Sequence, residues 1–137
     1  MMNKNIYMIN SDLAENYLSD SWYEPGTVVV FGGYHEVTTT NQKNDHRVAG
    51  VVSTNPATVM NSALEGENVV TIALQGRVPC KVLGNVKKGD ILVTAAIEGY
   101  AIVNNNPSPG TIIGKSLEDN SDNNSRKGIV EVAVGRF

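Results

Sequence analysis

The 137-residue sequence holds one cysteine, Cys80, and two histidines, His35 and His46. A lone thiol cannot close a disulfide within the chain, so no disulfide framework holds the fold. Neither histidine has a second His or a Cys beside it, and a zinc site needs three or four converging ligands. No metal is expected. Lys+Arg number 11 against 14 Asp+Glu, a net charge of −3, so nothing attracts nucleic acid or an anionic membrane electrostatically. The longest apolar runs are about half a dozen residues, far short of the ~20 that span a bilayer. The opening MMNKNIYMIN has a single Lys and no long apolar core, so it is not expected to act as a signal peptide.

Signatures of chemistry are equally sparse. There is no Gly-x-Ser-x-Gly elbow, and Gly32, Gly33 and Gly84 lack the helix start that would cradle a phosphate. Cys80 falls on an apolar-facing position and is expected to be a small buried hydrophobe rather than a nucleophile. The acidic stretch 118–124 (EDNSDNN) lacks the glycine and terminal glutamate of a calcium loop and is expected to be a solvated hairpin loop. No cofactor is implied.

What the sequence does have is short strands. The stretch 76–82 (GRVPCKV) alternates, with Val78, Cys80 and Val82 on one side and Arg77, Pro79 and Lys81 on the other. The apolar run 48–53 (VAGVVS) before Asn55-Pro56 has the pattern of a buried strand. Further strands are expected at 27–31, 35–40, 69–74, 91–94, 100–103, 111–115 and 129–134, each bounded by Gly, Pro or Asn. Stretch 56–67 is left between a helical turn and an ordered loop. About eight to ten strands, with turns every ~8–12 residues, give an all-β sandwich or barrel-like domain.

The first 20 residues differ. A short strand is expected at 6–9, and DLAENYL at 12–18 has helical residue types, with Ser11 as a loose cap and Glu15 one turn on. The expected organisation is therefore an N-terminal strand and helical segment at 1–20, then a β-rich domain at 21–137. Ser11 beside Asp12, with Glu15 as proton acceptor, is also a constellation capable of cleaving its own backbone. The plain reading of Ser-Asp before a helix is a cap. Trp22, Tyr23 and Tyr34 are candidates for stacking on sugar rings or anchoring a partner.

Residues 11–17 (SDLAENY), 23–33 (YEPGTVVVFGG), 47–55 (RVAGVVSTN) and 76–81 (GRVPCK) together resemble the C-terminal β-rich domain of tail-fibre and neck-appendage virion proteins of tailed phages. The later stretches 88–93 (KGDILV), 110–118 (GTIIGKSLE) and 132–137 (VAVGRF) fit the same pattern. The acidic opening before the strands is similar to the autoprocessing group, whose domain assists fibre trimerisation and then severs itself at a Ser-Asp junction.

The resemblance implies a bacteriophage structural protein of the virion, assembled in the host cytoplasm, with itself as homotrimer partner and other virion proteins around it. Carried over, Ser11 and Asp12 would flank a cut assisted by Glu15. The leading expectation is non-enzymatic: assembly plus presentation of the Asn/Ser-rich loops 41–45, 104–108 and 119–124 to a receptor such as a host surface glycan. A self-cleaving chaperone and a monomeric sugar-binding module are the alternatives.

Overall fold

A computed structural model describes residues 11–121 and 126–135. Among the described residues are ten strands: β1 Asp12–Leu18, β2 Val28–Phe31, β3 Val37–Thr38, β4 Val48–Val52, β5 Thr58–Met60, β6 Val69–Leu83, β7 Ile91–Thr94, β8 Ala101–Val103, β9 Gly114–Ser116 and β10 Lys127–Val134. The expected strand at 6–9 lies outside the described residues.

The stretches expected as two strands, 69–74 and 76–82, form the single 15-residue strand β6. Its C-terminal half pairs with β10 from Leu83↔Lys127 to Gly76↔Val134. Its other edge meets β8 in parallel at Val82↔Ala101. With β8 joined to β7, β7 to β9 and β9 to β10, these five strands close on themselves. The architecture is therefore barrel-like rather than a sandwich of two open sheets, and closure leaves the ring without edges.

The N-terminal half of β6 serves a second group of strands. It pairs with β1 from Gly76↔Asp12 to Val69↔Leu18, and with β4 at Ala73↔Val51 and Ile72↔Val52. Strand β4 leads on to β2 and β2 to β3. The end of β1 returns to β3 through a parallel bridge, Ser19↔Val37, beside a bond from the Glu36 N–H to the Leu18 carbonyl.

A bulge lets one strand serve both groups. Leu13 faces Gln75 while Ala14 faces Ala73, so Leu74 is an extra residue on β6. One inserted residue exchanges the two faces of everything beyond it. Val78, Cys80 and Val82 consequently enter the barrel core with Ala73, Leu92, Val130, Val132 and Val134. Val70 and Ile72 instead join Val29, Val37 and Val52 in a second cluster, against which Tyr17, Tyr23, Ala49 and Leu74 pack.

The expected N-terminal helical turn is corrected: no helix occurs among the described residues, and DLAENYL is strand β1. A helix of under two turns has little stability of its own, and here the backbone groups are taken by the β6 ladder. Stretch 56–67 is likewise neither of its two expectations alone, since Thr58–Met60 forms β5, a parallel neighbour of β1. The expected strand at 35–40 shrinks to Val37–Thr38.

Candidate functional site

In β1, side chains alternate. Asp12 and Ala14 are buried on one face, and Leu13, Glu15 and Tyr17 leave on the other. The helical spacing that would have brought Glu15 back beside Ser11 and Asp12 is thus replaced by an extended one. Ser11 is pinned to β6, its carbonyl accepting from the Arg77 N–H at 3.1 Å and its Oγ donating to the Arg77 carbonyl at 3.5 Å. The Asp12 carboxyl lies 4% exposed beside the equally enclosed Ser53. Burial raises its pKa above the ordinary aspartate value, and the Ser53 hydroxyl opposes that rise. Glu15 accepts a bond from the Tyr17 hydroxyl at 3.0 Å.

The three aromatics expected as a group are not equivalent. Tyr23 is half-buried against the second cluster, and its hydroxyl donates to Asp20 at 2.7 Å. Trp22 and Tyr34 are exposed, at 69% and 93%. Tyr34 stands edge-on to His35, with ring centroids 5.1 Å apart.

The Asn-rich loops are tied together through side chains. Asn104 Nδ2 donates to Asn44 Oδ1 at 2.8 Å, joining loop 104–108 to loop 41–45. Asn105 Nδ2 donates to Asp90 Oδ1 at 3.1 Å, and the Lys88 N–H donates to Asp119 Oδ1 at 2.8 Å. Turn 87–90 therefore stands between the second and third loops. Residues 122–124 of the third lie outside the described residues.

A concavity that no sequence motif marked lies on the outward face of β1. It encloses about 1040 Å³ and is bounded by β1, β4, the bulge of β6, Phe31 and the segment before β9. Leu13, Phe31 and Leu74 supply apolar wall, and Tyr17 meets Phe31 edge-to-face at 5.3 Å and 71°. Glu15, Gln75, His46 and Arg47 supply polar atoms.

Arg47 is held in place. Its Nε and Nη2 donate to the two carboxylate oxygens of buried Asp45 at 3.1 and 2.8 Å. The Arg47 N–H and the Thr40 hydroxyl bind the same carboxylate at 2.9 and 2.7 Å. These bonds, led by the guanidinium, hold the Asp45 carboxyl well below the usual carboxylate range despite burial. Reading residues 12–18 as alternating would have put Leu13, Glu15 and Tyr17 on one face. The other walls come from segments scattered along the chain.

Cys80 is wholly buried and its thiol pKa is pushed up to about 12 by desolvation, the setting of an inert packing residue. Among the described residues no three His, Cys, Asp or Glu side chains group as a metal ion would require.

The fold is similar to those of two solved bacteriophage phi29 proteins. Over 90% of its length the chain matches the C-terminal fragment of gene product 12 of bacteriophage phi29, covering 99% of that chain at TM-score 0.65 and 14% identity. It also matches the N base of the phi29 head fibre gp8.5, over 90% of this chain and 93% of that one, at TM-score 0.53 and 15% identity. At such identities the likeness establishes the fold. No protein-family model and no curated protein matches the sequence.

Proposed function

We propose that the chain is a structural module of a bacteriophage virion, a fibre, appendage or decoration component that works by assembling with copies of itself and presenting loops to a receptor. The observation that carries this reading is the likeness, along nearly the whole chain, to pieces of two phi29 proteins, one of them a head fibre. The joined loops 41–45 and 104–108 support the presentation part, because a hydrogen-bonded rim displays polar tips on a fixed scaffold. The partners are a homotrimer of this chain and neighbouring virion proteins, assembled in the host cytoplasm. Gold-labelled antibody against the chain should decorate intact particles of the phage that encodes it, at a fibre or appendage. Bare particles from lysates that contain the chain would refute the virion location.

A second reading keeps the self-cleaving chaperone, with Ser11 and Asp12 flanking the cut and Glu15, which the finished β1 holds apart from them, assisting before that strand forms. The buried, charge-disfavoured carboxyl of Asp12, beside a Ser11 pinned by two bonds to Arg77, is the observation in its favour. A fusion carrying sequence upstream of Ser11 would release a fragment, and Ser11→Ala and Glu15→Ala would stop the release. A fusion that stays whole removes this reading.

A further inference from the structure

We propose that the concavity on the outward face of β1 is a binding cleft for a neutral oligosaccharide. A saccharide presents C–H faces and hydroxyl edges together, so its site needs apolar surface interleaved with paired donors and acceptors. Here Phe31 is 40% exposed in the wall, and its ring is steadied edge-on by Tyr17. The face of such a ring attracts the slightly positive C–H groups of a pyranose. Leu74 extends the apolar surface, while the amide of exposed Gln75 offers donor and acceptor at the bulge.

The charged groups are oriented before any ligand arrives. Tyr17 fixes one oxygen of Glu15 at 3.0 Å, and a carboxylate has acceptor capacity left for hydroxyls. Asp45 engages Nε and Nη2 of Arg47, leaving Nη1 as the donor it does not hold. Preset polar groups bind without the ordering cost that mobile side chains incur.

Charge balance and size select the class. The Arg47 charge is already answered by buried Asp45, and Glu15 adds a negative charge. The cleft therefore offers no net attraction to a phosphate or a polyanion. A space of about 1040 Å³ lies at the upper end of the ~300–1,000 Å³ common for ligand sites, which suits several sugar rings rather than one. The proposal rests on this cleft alone and not on the virion reading.

The test is a titration of the full ¹⁵N-labelled chain with cellotriose, maltotriose and chitotriose, followed by amide shifts. At least one sugar should shift amides of residues 13–17, 47–50 and 74–75. Glu15→Gln, which keeps shape and removes charge, should weaken binding by roughly tenfold or more, as loss of a hydrogen bond to a charged group does. Phe31→Ala should do the same, with an unchanged amide spectrum elsewhere showing that the variant folds. No shift with any of the three sugars overturns the proposal. So do shifts centred on Trp22 and Tyr34, or cleft shifts that follow protein concentration without sugar, which would make the face a contact between copies.

Discussion

Replacing Gly76 by alanine should cost more than any other single-methyl change on β6. Gly76 sits at φ +110°, facing Asp12 of β1 and Val134 of β10. A Cβ built there falls 2.5 Å from the Ser11 carbonyl oxygen and 2.8 Å from the Asp12 Cα. Both atoms are backbone, so no rotamer change relieves the contact. A non-glycine residue in a sparsely populated φ region costs ~1–3 kcal/mol, and overpacking adds ~1–3 kcal/mol. The expected loss is about 2–6 kcal/mol, a fall in Tm of roughly 6–20 °C for a chain of this length. Gly89→Ala is the control, because Gly89 has φ +93° with nothing within 4 Å of its added Cβ. Urea unfolding of both variants separates the terms: Gly89→Ala reports the backbone cost, and Gly76→Ala should exceed it by ~1–3 kcal/mol. Hydrogen exchange should also show earlier opening of the β1 amides in Gly76→Ala. Equal losses in the two variants, with β1 protection unchanged, would refute the packing of β1 against β6 opposite β10 at Gly76.

Further predictions follow the same geometry. Asp12 and Asp45 should respond to pH with opposite signs. Asp45, depressed in the fold, stabilises above the unfolded pKa of ~3.9 and loses that contribution as pH falls through its folded value. Asp12, raised by burial, has the reverse linkage, so stability declines as pH rises from the unfolded value through its raised folded one. Asp45→Asn should therefore lower Tm at pH 7 and converge on the parent in acid, while Asp12→Asn should hold or raise Tm at pH 7. Iodoacetamide should leave Cys80 unmodified in the native chain at pH 8 and label it on unfolding; rapid native labelling would contradict its burial. Thr94→Val should cost ~1–3 kcal/mol, because buried Thr94 Oγ1 donates to the Gln42 carbonyl at 2.8 Å and accepts from the Asp45 N–H at 2.7 Å. Thermal unfolding measures that loss, and exchange of the amides in loop 41–45 should quicken.

How much of this was legible in the sequence follows from the range of each interaction. The Val130, Val132, Val134 alternation announces itself through side chains two apart, all three buried, while Ile91–Thr94 shows as a short apolar run after the Gly89 turn. The residues DLAENYL mislead because Leu, Ala and Glu suit a helix, and only the distant β6 makes them a strand. The stretches expected as separate strands at 69–74 and 76–82 run on as one, with Gly76 inside β6. The absent side chain there lets β1 approach closely on one edge of β6 while β10 pairs on the other. Barrel closure depends on pairings such as Lys127↔Leu83, which no local pattern contains. The cleft is hidden for the same reason, since Glu15, Phe31, Arg47 and Gln75 share no motif and meet only after β1, β2, β4 and β6 have packed. Tyr23 reads as an exposed aromatic from its polar neighbours, yet its ring covers the second cluster.

The central claim is that this domain works as an assembly of identical chains. Light scattering during size exclusion measures it directly, across a dilution series reaching tens of micromolar. The account predicts a mass near three times the 14.7 kDa chain, held over the series. A single-chain mass at the highest concentration would contradict it.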